Sequence, residues 1–375
     1  MNILQVLPEL NAGGVERTTI EIAQALSAAG HVPHIACAGG RLEDELRVAG
    51  GILHRLRVGS KNPMSLRRNT KALIDIIKTQ KIDIIHARSR APAWPAKAAA
   101  KATNIPFITT YHGIYNAKSG LKRRYNAVMA KGDVVIANSE FTKAHIIKEH
   151  GTDKDTIVVI PRGVDMATFD PALVSAEDVA DIKADWGVPN GAPVILLPGR
   201  LTRWKGQLVA VEALKLLADN PYLVLLGDAQ GRDDYVAEIE TKAEALGLSE
   251  RVIFAGHSRA MPTALTAANV VVSASTDPEA FGRVMAEAQA VQRLVVASNH
   301  GGATETVIDG AGGYLTTPGS AQDLANGITK ILALPRTEYS ARTQTARKRI
   351  ADQYSAAAMK TATLAVYRKI LQNKP

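Results

Sequence analysis

The chain has 375 residues, 46% of them hydrophobic and 22% charged, and it contains a single cysteine, Cys37. This length exceeds one ordinary α/β core, so we expect two domains of about 150 to 200 residues each. One thiol excludes an intramolecular disulfide and a cysteine-based zinc site. No apolar run approaches the roughly 20 residues that span a bilayer. The opening segment lacks a basic n-region, so it predicts a first strand rather than a signal peptide.

The net charge of +9 is concentrated in one region of the chain. Residues 51–150 hold 19 Lys and Arg against 5 Asp and Glu, a net of +14, which leaves −5 for the rest. The basic side chains form three groups: Arg55, Arg57, Lys61, Arg67 and Arg68; Arg88 and Arg90; Lys118, Lys122, Arg123 and Arg124. Such a field predicts an anionic partner, for example lipid headgroups, although a generic basic surface has the same composition.

Strand and helix patterns alternate through the first half of the chain. Predicted strands cover residues 2–7, 31–36, 52–58, 82–86, 107–111, 134–137 and 157–160, and predicted helices cover 18–29, 66–79, 92–102, 118–130 and 141–149. This alternation is typical of a parallel sheet covered on both faces, which binds ligands at the carboxyl ends of its strands.

A second alternating set begins near Val194, after an irregular connection over residues 161–189. Its strands are predicted at 194–198, 222–226, 252–254, 270–272 and 294–297, and a last helix at 356–371 is expected to cross back onto the first half. We therefore predict an N-terminal domain of residues 1–170 plus 355–375, and a second domain of residues 171–354.

The segment around Glu279 and Glu287 is central to the interpretation. A β-branched run leads into it, an Asp-Pro break follows, and apolar residues then recur at helical spacing. Glu279 is expected at the mouth of a helix and Glu287 two turns later, about 10 Å away on nearly the same face. That separation is too large for the carboxylate pair of a glycoside hydrolase.

The backbone N–H groups at the start of this helix predict an anion site between the two carboxylates. They belong to Ala280, Phe281, Gly282 and Arg283. One carboxylate would then bind the sugar of a nucleotide-sugar and the other its ribose. Two glutamates eight residues apart are also typical of a solvated helix face, and this alternative stays open.

Other candidate sites follow predicted strands. Arg200 and Lys205 lie on a loop where both could neutralise a pyrophosphate leaving group. The glycine pair Gly13-Gly14 could let backbone amides approach a phosphate, but it lacks the full dinucleotide fingerprint. His112 could bind a sugar or be a structural histidine. A second pair, residues 301–302, is expected to offer further amides.

These motifs together resemble glycosyltransferase family 4 over nearly the whole chain, most specifically in its second half. The motifs are Gly13-Gly14, His112, Gly199-Arg200 with Lys205-Gly206, Glu279-x7-Glu287 and Gly301-Gly302-x-x-Glu305. The resemblance implies an α/β GT-B fold, in which two Rossmann-like domains with parallel sheets face a central cleft. It also implies glycosyl transfer with retention of configuration, without a metal or other cofactor.

The resemblance implies roles residue by residue. Catalytic roles fall to Glu279, His112, Arg200 and Lys205. Donor binding falls to Gly13, Gly14, Arg200, Lys205, Phe281, Gly282, Arg283 and Glu287. The family more often has glycine where this chain has Ala280, and the extra methyl group could narrow the sugar pocket.

We therefore predict a hexosyltransferase-type enzyme that uses a UDP-, GDP- or ADP-sugar. Its acceptor would be a lipid-linked or envelope glycan, in the lipopolysaccharide core or a related surface polysaccharide. The enzyme would be cytoplasmic and peripheral on the inner face of the cytoplasmic membrane, docked through residues 51–150. Alternatives are a transferase acting on a diacylglycerol-type lipid and a nucleotide-sugar epimerase. No nucleic-acid partner is expected, because aromatic residues are only 5% of the chain and no binding motif is present.

Overall fold

The structure is a computed structural model that describes residues 1–11, 13–115, 117 and 119–372. It divides into two compact units, Met1–Gly163 with Ala356–Pro375, and Val164–Ser355. The division therefore falls seven residues before the boundary expected from the sequence. The two ends of the second unit lie side by side, because the Val164 N–H donates to the Tyr354 carbonyl at 2.7 Å.

The first unit contains a seven-stranded parallel sheet. Its strands are β1 (Asn2–Val6), β2 (Val32–Cys37), β3 (Ile52–Arg55), β4 (Ile84–Ala87), β5 (Phe107–Tyr111), β6 (Val134–Ala137) and β7 (Ile157–Val159). The spatial order is β3-β2-β1-β4-β5-β6-β7, so the strand order reverses between β1 and β4. Its inner strands are buried on both faces, as parallel strands covered by helices require.

Helices cover both faces of this sheet. They are α1 (Gly14–Ala28), α2 (Glu43–Val48), α3 (Pro63–Thr79), α4 (Arg90–Thr103), α5 (Gly120–Asn126) and α6 (Glu140–His150). One core joins apolar residues of α3 and α4 to the sheet. Apolar residues of α1 and α2 belong to separate cores that include other sheet residues. The two pairs of helices therefore contribute to different cores.

The second unit repeats this architecture with six parallel strands. They are β8 (Val194–Pro198), β9 (Tyr222–Leu226), β10 (Val252–Gly256), β11 (Val270–Ser273), β12 (Val295–Ser298) and β13 (Gly313–Thr316), in the order β10-β9-β8-β11-β12-β13. Its helices are α7 (Ala176–Asp185), α8 (Gln207–Lys215), α9 (Asp233–Ala245), α10 (Met261–Ala267), α11 (Arg283–Ala290), α12 (Ala303–Thr306), α13 (Ala321–Leu332) and α14 (Arg336–Gln353). The predicted pair of Rossmann-like parallel sheets is confirmed.

The last helix, α15 (Ala356–Gln372), packs against α1 in the first unit. Its Tyr367 is fully buried, and the hydroxyl lies 2.7 Å from Nδ1 of His86 on β4. This buried polar contact ties the end of the chain to a central strand of the first sheet.

The connection predicted as irregular over residues 161–189 contains helix α7, so that prediction is wrong over ten residues. Only two large apolar residues of the helix, Val179 and Ile182, pack against the core, and both are only partly buried, so its apolar pattern is weak. Its sequence signature is instead a capping box, in which Ser175 and Asp178 satisfy each other's backbone N–H groups. The same periodicity argument missed α2 and β13, which have six and four residues.

The basic helix predicted over residues 118–130 is shorter in the structure. It is α5, followed by a 3₁₀ turn at Ala127–Ala130, and Lys118 lies outside the described residues. Helix α5 starts where the Ser119 side chain accepts a hydrogen bond from the Lys122 N–H at 3.3 Å. A serine cap therefore fixes the first residue of the helix.

Two histidines meet between β2 and β3. Nδ1 of His34 lies 3.0 Å from Nε2 of His54, and the two rings are nearly parallel. Burial, with a smaller effect of His54, lowers the pKa of His34 to about 4, and burial also lowers the pKa of His54. Both rings are therefore neutral at about pH 7, and one donates to the other.

We expect this pair to make the fold acid-sensitive. The folded state lowers the pKa values of both histidines. The stability that the neutral pair contributes is therefore complete above the ordinary pKa of 6.5 and is lost as pH falls from there toward about 4. Between about pH 7 and about pH 5, the free energy of unfolding should fall by about 2 kcal/mol more in this protein than in the double variant His34→Gln, His54→Gln. Urea unfolding at the two pH values measures this difference. Equal losses in both proteins would contradict this assignment.

Candidate functional site

Two of the predicted motifs meet at the topological switch point of the second sheet. Strand β8 pairs with β9 on one side and β11 on the other, so the strand order reverses between β8 and β11. The loop after β8 carries Arg200 and Lys205, and the loop after β11 carries Glu279. Ligands of doubly wound sheets bind at this edge, outside the carboxyl ends of the strands.

The central contact is an ion pair between Lys205 and Glu279. Nζ of Lys205 lies 2.8 Å from Oε1 of Glu279, and each side chain is only 15% exposed. The same Oε1 accepts hydrogen bonds from the hydroxyl of Ser275 at 2.7 Å and of Ser273 at 3.2 Å. Among the described residues, Oε1 accepts every hydrogen bond made to this carboxylate, which leaves Oε2 available to a ligand.

This environment keeps Glu279 ionised. Burial alone would raise the pKa of its carboxyl group, but the charge of Lys205 and the hydrogen bonds from Lys205, Ser275 and Ser273 outweigh burial and lower the pKa. Glu279 is therefore a carboxylate near neutral pH. It can accept hydrogen bonds from hydroxyl groups, and it does not act as a proton donor in this state.

The Lys205 loop fits against the Glu279 loop because of Gly206. Gly206 has φ +74°, and a Cβ atom there would lie 1.9 Å from the carbonyl oxygen of Ala274. The Thr276 N–H also donates to the Trp204 carbonyl at 2.8 Å. Glycine is thus required for the close approach that brings Nζ of Lys205 to the carboxylate.

The glycine pair 301–302 supports the Glu279 loop from the other side. A Cβ atom at Gly301 would lie 2.5 Å from the carbonyl oxygen of Glu279, and the Gly302 N–H donates to that oxygen at 2.8 Å. His300 Nε2 lies 2.9 Å from the Ser275 carbonyl, which can only accept, so this nitrogen carries the proton. The expectation that both amides serve a ligand is wrong for Gly302, whose N–H holds the backbone instead.

Glu287 is paired within its own helix. Oε1 of Glu287 lies 2.7 Å from Nε of Arg283, four residues earlier on α11, and its side chain is 9% exposed. Glu287 is therefore not on a solvated helix face. Phe281, predicted to bind the donor, is 2% exposed with its ring 5.7 Å from that of Tyr354. Its side chain belongs to the core, so only its backbone could contact a ligand.

Arg200 lies on the β8 loop with an exposed side chain. Its carbonyl accepts from the fully buried Gln207 side chain at 3.1 Å, and the Tyr235 hydroxyl donates to Gln207 at 3.1 Å. Sequence reasoning missed Gln207, as well as Ser273, Ser275 and His300. The two serines had a usable signal, because each stands within six residues of Glu279 at the end of a strand.

In the first unit, Gly14 and His112 lie near Arg162. A Cβ atom at Gly14 would lie 2.4 Å from Nη1 of Arg162, and Nη2 of Arg162 donates to the His112 carbonyl at 3.1 Å. Gly13, at φ +135°, caps α1 without a side-chain hydrogen bond. Sequence reasoning missed Arg162, although it follows the last strand of the sheet, where ligand-binding residues are expected.

His112 is not a histidine satisfied by its neighbours. Both ring nitrogens are buried and have no hydrogen-bond partner among the described residues. The ring borders a cavity of about 20 Å³, also lined by Thr18, Arg88 and Asn138, with room for about one water molecule. Burial, with the charges of Arg162 and Arg88, holds the pKa of His112 well below its ordinary value, so the imidazole is neutral.

Within residues 1–11, 13–115, 117 and 119–372, no group of three or more His, Cys, Asp or Glu side chains could hold a metal ion. Asp153 and Asp155, whose spacing resembles a metal-binding Asp-x-Asp, are exposed, and Asp153 caps the Asp155 N–H at 3.0 Å. None of the described helices is both long enough and apolar enough to cross a bilayer.

We expect Lys205→Met to lower the free energy of unfolding by about 1–3 kcal/mol at neutral pH, because it leaves a poorly hydrated carboxylate without its counter-charge. Without Lys205, burial should raise the pKa of Glu279, so the deficit should shrink as pH falls and the carboxyl group becomes protonated. Urea unfolding at neutral and mildly acidic pH measures both effects.

The matched control is Arg203→Met. Arg203 lies on the same 3₁₀ turn, but its side chain is 67% exposed in its ion pair with Glu238. A surface pair of this kind contributes at most about 1 kcal/mol. Equal losses in the two variants, or a Lys205→Met deficit independent of pH, would show that the Lys205–Glu279 pair is not the buried contact described above.

Comparisons with known proteins cover the whole chain. The family model described as Glycosyltransferase Family 4 matches residues 12–168, and the model described as Glycosyl transferases group 1 matches residues 178–349. A D-inositol 3-phosphate glycosyltransferase of Xylanimonas cellulosilytica is 30% identical over 310 residues, which are 78% of this chain and 73% of the relative.

Solved structures give the same result. The crystal structure of a glycosyltransferase from Rickettsia africae is 38% identical, with a TM-score of 0.92 over 100% of this chain and 99% of that one. Anabaena HepE in complex with UDP is 26% identical, with a TM-score of 0.86 over 98% of this chain and 100% of that one. HepE has also been solved in complex with UDP-glucose.

Proposed function

Because the chain belongs to glycosyltransferase family 4 and is a nucleotide-sugar-dependent, hexosyltransferase-type enzyme with the GT-B fold, we propose that it transfers a hexose from a UDP-sugar to a lipid-linked or envelope glycan. The observation that carries this proposal is the contact between Lys205 and Glu279 at the switch point of the second sheet. A cation for a diphosphate and a carboxylate for sugar hydroxyls lie side by side where such sheets bind ligands.

The choice of UDP among the possible nucleotides rests on similarity. HepE, which binds UDP and UDP-glucose, resembles this chain over nearly its full length. The sequence alone left UDP-, GDP- and ADP-sugars open.

In this proposal, donor binding replaces the ion pair between Lys205 and Glu279 by contacts from each residue to the donor. The diphosphate takes Lys205 from Glu279 and is also bound by Arg200, and the freed carboxylate accepts hydrogen bonds from the sugar hydroxyls. Glu287 binds the ribose. The exchange is favourable because a diphosphate carries more negative charge than one carboxylate.

In the first unit, we propose ligand-binding roles for His112 and for the glycine pair 13–14. The neutral imidazole of His112 can donate one hydrogen bond and accept another, which suits a sugar hydroxyl. Backbone N–H groups near Gly13 and Gly14, at the start of α1, can bind a phosphate, because the helix dipole favours an anion there.

Transfer proceeds with retention and without a metal ion. The bond between the anomeric carbon and the leaving phosphate breaks as the acceptor hydroxyl attacks the same face, and a phosphate oxygen takes the hydroxyl proton. Lys205 and Arg200 stabilise the charge that develops on the diphosphate. Unchanged turnover in excess EDTA, and an α-linked product from an α-linked donor in the NMR spectrum, are the outcomes that support these steps.

The acceptor belongs to the cell envelope, in the lipopolysaccharide core or a related surface polysaccharide, and the enzyme works on the inner face of the cytoplasmic membrane. The support is the net charge of +14 over residues 51–150, which favours an anionic lipid surface. A diacylglycerol-type acceptor would use the same surface. Nucleotide release that requires an added acceptor distinguishes either transferase from an epimerase.

A panel of nucleotide-sugars tests the donor. At about 100 times its dissociation constant, the correct donor stabilises the unit that binds it by about 2.7 kcal/mol, which raises the Tm of a unit the size of Val164–Ser355 by about 5–10 °C. We expect this shift with UDP and a UDP-sugar, and a smaller shift with the GDP and ADP analogues. No shift with any nucleotide-sugar would contradict the proposed function.

Replacing the Glu279 carboxylate by an isosteric amide tests its role in transfer. We expect Glu279→Gln to lower kcat by a factor of about 10² to 10³ while leaving the Tm shift caused by UDP, because UDP lacks the hexose that Glu279 is proposed to bind. The control Glu212→Gln changes a half-exposed partner of Lys242 and should keep full turnover. Full turnover by Glu279→Gln would remove this residue from the mechanism.

A further inference from the structure

The first unit exposes three large apolar side chains from three different helices. Leu121 on α5 is 83% exposed, Met64 on α3 is 80% exposed, and Trp94 on α4 is 37% exposed. Large apolar side chains rarely remain in water together without a partner.

Ring contacts connect Trp94 on α4 to Tyr125 on α5 and to Lys61, which precedes α3. The rings of Trp94 and Tyr125 are nearly parallel with centroids 6.2 Å apart, and Nζ of Lys61 lies 5.6 Å from the centroid of Tyr125. Leu121 is four residues before Tyr125 on α5, so the two share one face of that helix. Met64 lies in the first turn of α3, three residues after Lys61. We call Lys61, Met64, Trp94, Leu121 and Tyr125 the apolar patch.

Basic side chains surround the apolar patch. Arg67 and Arg68 follow Met64 by three and four residues on α3, and Lys122 and Arg124 follow Leu121 on α5; all four are exposed. Within the described chain, none of these four forms an ion pair. Other members of the predicted basic groups are occupied: Arg55 pairs with Glu43, Arg123 pairs with Glu149, and Arg88 is buried against Gln5.

We propose that the apolar patch and its four surrounding cations form the face that docks this enzyme on an anionic lipid bilayer. The inference rests on the proposed function, which places the acceptor at a membrane, and it names the residues that make the contact. Met64 and Leu121 enter the boundary between headgroups and acyl chains. Trp94 and Tyr125 lie at headgroup level, and the cations bind lipid phosphates.

This chemistry favours a bilayer over the other anionic or apolar partners. A second copy of the chain would bring the same unpaired cations face to face, which is repulsive. A nucleic acid would bind the cations and stack on the aromatic rings, but it offers no hydrocarbon for two exposed aliphatic side chains. A lipid surface, unlike these two partners, offers both anionic headgroups for the cations and hydrocarbon for the apolar side chains.

Vesicle co-sedimentation at low salt tests the proposal with the full-length enzyme. The vesicles contain phosphatidylcholine alone or phosphatidylcholine mixed with phosphatidylglycerol. We expect binding to the anionic vesicles only. The double variant Met64→Ser, Leu121→Ser should bind the anionic vesicles with an affinity at least about tenfold lower. The triple variant Arg67→Gln, Arg68→Gln, Lys122→Gln should also bind weakly and lose most of the salt dependence.

The matched control is Val48→Ser, Leu173→Ser. Val48 is 87% exposed on α2, which packs in a different core from α3 and α4, and Leu173 is 72% exposed in the second unit. This variant loses similar exposed apolar area and should bind anionic vesicles like the unmodified protein. Because all four side chains are exposed, both double variants should fold normally.

Several results would overturn the proposal. The first is equal vesicle binding by the two double variants. The second is equal binding to neutral and anionic vesicles. The third is that the protein binds a duplex oligonucleotide through Arg67 and Arg68 and does not bind vesicles. The UDP-induced Tm shift separates this failure from failure of the proposed function. A serine variant that keeps the UDP-induced Tm shift has an intact donor site, so weak vesicle binding by that variant concerns the docking face alone. If no nucleotide raises the Tm of the unmodified protein, the proposed function is contradicted, whether or not the protein binds vesicles.

Discussion

The ion pair between Lys205 and Glu279 is the contact on which the candidate donor site depends. The carboxylate is largely removed from water, so it remains ionised only because a cation and two hydroxyl groups meet one of its oxygens. The surrounding backbone serves the same contact. Gly206 brings the lysine loop close, and Gly301 and Gly302 hold the glutamate loop. Small residues therefore recur here because any side chain would separate the charges.

The second acidic residue follows the same rule. Glu287 is paired with Arg283, so each carboxylate of the motif is satisfied by a cation of the same unit. Buried charges without partners would cost several kcal/mol, and these pairs avoid that cost in the ligand-free protein. In the proposed function, the donor diphosphate therefore takes Lys205 from Glu279, while Oε2 of Glu279 is already open to a hydroxyl group. This favours a ligand with strong negative charge and several hydroxyl groups over a neutral sugar.

The two units share a doubly wound architecture but differ in electrostatics. In the second unit, Lys205 pairs with Glu279 and Arg283 pairs with Glu287. In the first unit, His112 is neutral, no described residue bonds its buried ring nitrogens, and cations on α3 and α5 are exposed. A neutral imidazole suits a hydroxyl group, and exposed cations suit an anionic surface. The same fold thus supplies different chemistry, because function depends on side chains at the strand ends rather than on topology.

The sequence by itself determined the alternation of strands and helices, and hence the two parallel sheets, because buried parallel strands are continuous apolar runs whatever surrounds them. It also indicated Glu279 and Lys205, since each follows such a run. It did not reveal α7, whose large apolar residues are limited to Val179 and Ile182, or the core position of Phe281. Only the tertiary structure decided that Glu279 is held by Ser273, Ser275 and Lys205, and that the ring of Trp94 lies against that of Tyr125. These contacts join residues up to 74 positions apart, and chain folding, not local pattern, sets such distances.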